Sequence, residues 1–148
     1  MTAPSEAAVQ AELMEKEKNV VEQQQRVEAL KSTQSNLGGR MRALDQERRR
    51  CDITNAELAS VPQDRPVYKS LGRVFVKSTV AVQQEDHEKK KQAYAAESSR
   101  LGDEHRKVTT RLQQEEEQLN KVFSDFMASM QIAQHRAQQQ QQQQQAAR

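Results

Sequence analysis

The sequence predicts a mainly α protein, a long antiparallel two-helix coiled coil joined by one central β-hairpin. Three observations carry that expectation. Apolar residues recur at a strict four-then-three spacing through both halves of the chain. Between the halves stands the one cluster of β-branched and aromatic residues at strand spacing, Val67 to Lys77. Hydrophobic residues make up 34% of the chain and charged residues 30%, with no Trp, three Phe and two Tyr. That mixture is too poor in large apolar groups for a globular core and suits long helices.

The first helix is expected from about residue 4 to 51. Pro4 is tolerated at a first helical position, and Glu6 favours the positive end of the helix dipole. The seam runs Val9, Leu13, Lys16, Val20, Gln23, Val27, Leu30, Gln34, Leu37, Met41, Leu44, Arg48 and Cys51. Nine of these thirteen residues are apolar, and a sustained 3.5-residue period means a narrow coiled-coil seam. Gly38-Gly39 opposes helix by about 1 kcal/mol for each residue relative to alanine. The seam keeps its phase across the pair, so one helix with a soft point is expected.

After Cys51, Thr54-Asn55-Ala56-Glu57 has the form of a capping box and predicts a short helix over about 55–60. Pro62 and Pro66 then hold the chain extended. The hairpin spans about 67–77, with Gly72-Arg73 as a two-residue type II′ turn. That turn sets Leu71 opposite Val74, Ser70 opposite Phe75, Lys69 opposite Val76 and Tyr68 opposite Lys77. An isolated two-stranded hairpin is marginal in water, so its edges and apolar groups call for partners.

The second helix is expected over about 79–134, with Ser78 or Thr79 as N-cap. Its seam runs Val80, Gln84, His87, Lys91, Tyr94, Ser98, Leu101, His105, Val108, Leu112, Glu115, Leu119, Val122, Phe126, Ser129 and Ala133. The apolar members concentrate from Leu101 onward. Each helix reaches about 70 Å at 1.5 Å per residue, so folded back they match and bring the termini together. Residues 135–148, with the run Gln138 to Gln145, read as a low-complexity tail, disordered or loosely helical.

Several function classes lose support. The net charge of +2 is no electrostatic footprint for nucleic acid. Arg40, Arg42 and Arg48 to Arg50 resemble a basic region only briefly and read better as a solvated helix face with cations near its C-terminus. No apolar run is long enough to span a membrane, and the first six residues lack the pattern of a signal peptide. The lone Cys51 suits a reducing cytoplasm, and a nuclear pool is compatible with it. The glycines lack the spacing of a phosphate loop. His87, His105 and His135 stand far apart, and a seam histidine is more often a packing residue than a metal ligand. No catalytic, metal or cofactor residue emerges, so an enzyme is not expected.

One apolar feature exceeds the seam. Phe123, Phe126, Met127, Met130 and Ile132 gather near the end of the second helix, and only Phe126 lies on the seam. Ala3, Ala7, Ala8, Val9 and Ala11 open the first helix across from them. Adaptable Met and Phe at a helix end suit binding of varied partners.

Two long helices around one hairpin resemble the β-class subunits of prefoldin. The likeness is most specific over Val67-Tyr68-Lys69-Ser70-Leu71-Gly72-Arg73-Val74-Phe75-Val76, a tyrosine, then a glycine, then an apolar strand. Thr54 to Leu58 resembles the short helix that the family places before its hairpin, while Gly38-Gly39 and the glutamine run depart from the pattern. The resemblance implies a hexamer with other α-class and β-class subunits, whose hairpins pool into a β-barrel platform. Val67, Tyr68, Leu71, Gly72, Val74, Phe75 and Val76 would build that platform. It also implies an ATP-independent co-chaperone that captures unfolded chains such as actin and tubulin and passes them to the group II chaperonin. Val9, Phe123, Phe126, Met127, Met130 and Ile132 would form the client-binding tip. The alternative is a structural coiled-coil tether, which needs only a polar reversal loop where this chain has six apolar strand residues.

Overall fold

The computed structural model of the chain describes residues 6–146. Their elements, in order, are α1 (Glu6–Ala59), β1 (Val67–Leu71), β2 (Val74–Ser78) and α2 (Val80–Ala146). The helix start at Pro4 lies outside the described residues. Contacts divide the chain into two compact units, one of residues up to Thr33 with those from Val108 onward, the other Gln34–Lys107.

In the first unit α1 and α2 run antiparallel. Lys16 Nζ donates to Ser129 Oγ at 2.6 Å, and Lys31 pairs with Glu116 at 2.8 Å. Between them the buried Gln23 donates through Nε2 to the Glu115 carbonyl at 3.1 Å and to its Oε2 at 2.5 Å. From Lys16 to Lys31 the partner number falls from 129 to 116, as an antiparallel pair requires. Val20, Val27 and Leu112 are buried around these contacts.

The second unit is built alike. Arg40 pairs with Glu97 and Asp52 with Lys91, the latter at 2.6 Å. A methyl group added at Gly102 would meet Met41 Cε at 3.7 Å, ordinary contact. Leu37, Cys51, Val80 and Leu101 are buried, Val80 and Leu101 completely. Every one of the twenty-nine seam positions named above is buried or half-buried in its own unit. The 3.5-residue period therefore identifies the packed face of both helices.

Two boundaries differ from the sequence expectation. α1 does not stop at Cys51, and there is no separate short helix over 55–60. Thr54 Oγ1 donates to the Arg50 carbonyl at 2.8 Å, the back-bond of a threonine inside a helix rather than of an N-cap. Its neighbours include no Gly or Pro, and the seam continues through the half-buried Asn55 and Leu58. Tertiary packing thus overrides the local capping signature. The helix ends in a tightened turn, with Ser60 N and Val61 N donating to the Glu57 and Leu58 carbonyls, just before Pro62. The second difference is the tail. α2 continues through Gln138 to Gln145 as helix, because glutamine is a good helix former with no β-branch.

Gly38 and Gly39 are helical, so the soft point does not break α1. A Cβ added at Gly39 would meet no atom within 4 Å. Gly39→Ala is therefore expected to stabilise the protein by about 1 kcal/mol, chiefly by restricting the unfolded chain. Thermal unfolding followed by circular dichroism measures this, and a lowered midpoint would show that the glycine is needed in α1.

α2 starts as expected. Thr79 Oγ1 accepts from Val82 N at 3.3 Å, and the Thr79 carbonyl accepts the first helical bond, from Gln83 N. Thr79 is thus the N-cap. Ser78 takes a different part, accepting from Gln83 Nε2 at 2.9 Å.

Candidate functional site

The hairpin pairs in the expected register, extended by Val67 opposite Ser78. Gly72 has φ +64°, and no non-glycine residue among those described has positive φ. A left-handed first position followed by a right-handed second one is the type II′ pattern and excludes type I′. The turn thus pins the register, and the register sets the faces. Val67, Lys69, Leu71, Val74, Val76 and Ser78 share one face, and Tyr68, Ser70, Phe75 and Lys77 share the other.

Lys69 Nζ reaches Asp86 Oδ2 of α2 at 3.1 Å and ties the first face to the helix. The Lys69 ammonium holds the Asp86 carboxyl below the usual carboxylate range. The tie covers little. Val67 is half-buried, but Tyr68 is 62% exposed, Leu71 57%, Val74 61% and Phe75 70%. Both faces of the hairpin thus carry solvent-facing apolar groups. The sheet has only two strands, so its outer edges keep unpaired backbone groups. Ile53 and Val82 add exposed apolar groups in the same unit.

The residues expected at the tip divide into three. Val9 and Phe126 are half-buried on the seam. Phe123, Met127 and Met130 form a second stripe at four-then-three spacing, with Phe123 and Met127 exposed and Met130 half-buried. Ile132 is exposed but does not join them. Nine residues beyond Phe123, it is rotated by about 180° at 100° per residue and lies on the opposite side of α2.

Sequence reasoning missed a groove of about 710 Å³ in this unit. Val9, Leu13, Ala133 and Ala137 supply its apolar lining, and five glutamines from both helices supply its polar lining. The signal was present: past Ala133 the seam spacing falls on Arg136, Gln140 and Gln143, long polar residues where closure of the pair needs apolar ones.

The other chemical candidates resolve into structural roles. Arg48, half-buried on the seam, and the exposed Arg49 both pair with Asp45, and the exposed Arg50 pairs with Glu47. His87 sits half-buried on the seam with Nδ1 sealed from solvent and without a hydrogen-bond partner. Burial, aided by Lys90 and Lys69 and opposed by Asp86, lowers its affinity for a proton. Asn55 Oδ1 is sealed and unpartnered likewise. Such polar seam groups cost stability and favour one helix register over others.

Comparison with known proteins agrees with this architecture. The prefoldin β subunit from Thermococcus strain KS-1 superposes with a TM-score of 0.63 at 18% sequence identity, over 70% of this chain and 91% of that one. A search of curated proteins finds no match. The sequence profile described as "Prefoldin subunit" matches residues 21–126, most of both helices and the whole hairpin. On that match, the chain belongs to the prefoldin subunit family.

Proposed function

We propose that this chain is a β-class subunit of a hexameric, ATP-independent co-chaperone. It captures unfolded proteins of the actin and tubulin type and delivers them to the cytosolic group II chaperonin. Within the class, Gly72-Arg73 followed by Val74 and Phe75 is most like subunit 1. One observation carries the reading: a hairpin with a fixed register exposes Tyr68, Leu71, Val74, Phe75 and Val76 on two faces. An intramolecular coiled coil has no use for such a surface, and a barrel of pooled hairpins would bury it.

Client capture is assigned to the first unit. Phe123, Met127 and Met130 form a continuous stripe beside Phe126, and thioether side chains adapt to varied apolar shapes. Capture of this kind is weak at each contact and gains strength when several arms act on one client.

The test is aggregation of a chemically unfolded client in the presence of the assembled complex. Phe126, Met127 and Met130 changed together to serine should weaken suppression several-fold and leave assembly intact. Loss of assembly in that variant would make the stripe structural and overturn the assignment.

A further inference from the structure

Two polar atoms of the second unit are sealed from water without a hydrogen-bond partner, Asn55 Oδ1 on α1 and His87 Nδ1 on α2. Both residues stand on the seam, Asn55 one step after Cys51 and His87 two steps after Val80. The contacts of the unit bring them to one level. Arg40 pairs with Glu97 and Asp52 with Lys91, so α1 and α2 run antiparallel here too. From the Asp52–Lys91 pair, Asn55 lies one turn on along α1 and His87 one turn back along α2, both toward the hairpin. At 1.5 Å per residue those steps are about 4.5 Å and about 6 Å, so the two side chains share one layer of the seam.

The carboxylates around that layer already have partners. From α1, Asp52 is held by Lys91 at 2.6 Å. From β1, Lys69 reaches in and is itself held by Asp86 at 3.1 Å. From α2 come Asp86, Lys90 and Glu88, and Glu88 shares Lys91 at 3.4 Å. From β2, Lys77 lies exposed on the hairpin face opposite Lys69. The buried Cys51 thiol stands one turn away on α1.

A neutral histidine donates from one ring nitrogen and accepts at the other, whereas an imidazolium donates from both. Protonation therefore leaves a donor hydrogen at Nδ1 with neither acceptor nor water to meet it, and a charge in a place of reduced solvation. Burial, aided by Lys90 and Lys69 and opposed by Asp86, holds His87 below its ordinary value of 6.5. As pH falls, the unfolded chain takes up this proton first. His87 supports the closed seam above its ordinary value, and that support is lost as pH drops toward the lower value of the folded chain. Opening the layer lets water reach both sealed atoms, so relief of Asn55 adds to the drive from His87.

We propose that Asn55 and His87 form a proton-operated latch in the coiled coil, closed while His87 is neutral and opened, at the hairpin end, when it is charged. Lys69 anchors β1 to Asp86, the residue before His87, so opening also frees the hairpin to shift against α2. The latch regulates the shape of the chain and does not depend on which proteins it binds.

Cys51 reports the state of the latch. It is the one cysteine of the chain, it is buried, and it lies one turn from Asn55 on the same seam. The full chain is labelled with a dipyridyl disulfide, which reacts with thiols in mild acid as well as at neutral pH. Rates are taken at about pH 7.5 and about pH 5.5, on either side of the histidine range. Each is divided by the rate of the urea-unfolded chain at the same pH, which removes the titration of the thiol itself. Asp86, held below the usual carboxylate range, stays charged across this window. The ratio should rise at least about threefold on acidification, as local opening exposes the thiol. His87→Leu and His87→Gln should each hold it constant. Asn55→Leu should lower it at both pH values, and His105→Gln, which changes the other histidine of this unit, should keep the full rise. A native ratio that does not change with pH would overturn the latch, as would a rise that survives in both His87 variants. A rise lost in His105→Gln would overturn the assignment to His87, and a ratio unmoved by Asn55→Leu would overturn the part given to Asn55.

Discussion

Phe75→Asp is expected to leave the chain folded and unable to assemble. Phe75 is 70% exposed and its cross-strand neighbour is Ser70, so the intramolecular fold loses little when the ring is removed. The helices, which hold most of the residues, do not depend on it. In a platform of pooled hairpins the same position would be buried. There the change would forfeit about 1.5–3 kcal/mol of aromatic burial for each copy. It would also place an unpaired carboxylate in an apolar site, which costs several kcal/mol more. Co-expression with α-class and β-class prefoldin subunits, followed by size-exclusion chromatography with light scattering, measures the outcome. Unchanged helix content with no hexamer is the expected result. A hexamer that forms normally would show that the hairpin is not the assembly surface.

Leu101→Ala should lower stability by about 2–5 kcal/mol. Leu101 is completely buried, and it stands where the α2 seam changes from mostly polar to mostly apolar positions. Toward β2, Gln84, His87, Lys91 and Ser98 occupy the seam, with Tyr94 the one apolar seam residue between Val80 and Leu101. Few other side chains in that stretch offset its loss. Urea unfolding monitored by circular dichroism gives the value. A cost below about 1 kcal/mol would mean that the neighbouring Met41 collapses into the space, since a flexible thioether fills gaps well.

These two residues also mark what could be read from sequence. Leu101 was legible because coiled-coil packing repeats, and one period predicts the burial of a long row of positions. Phe75 was legible because a two-residue turn at Gly72-Arg73 leaves a single register. Local signals misled where packing outweighed them. Thr54 had the right neighbours for a helix start, but the seam passing through Asn55 and Leu58 kept the helix going. The simple composition of the glutamine run left disorder and loose helix both open, and the helix preference of glutamine favours the second. Contacts such as Gln23 with Glu115 and Asp52 with Lys91 were not legible, because they depend on how one helix is staggered against the other. Ile132 was grouped with Phe123 by nearness along the chain, whereas rotation about the helix axis separates them.

The shared seven-residue period limits how a chain like this one can change length. A single inserted residue would turn everything beyond it by about 100° and move the seam away from its partner. Seven residues gained or lost in one helix would restore the facing side but leave one turn pair without an opposite number. Only matched heptads, added to or removed from α1 and α2 together, keep every contact between them. Descendants of this sequence should therefore vary in arm length by paired steps of seven, while the glutamine-rich end, beyond the closed part of the seam, is free to grow or shrink one residue at a time.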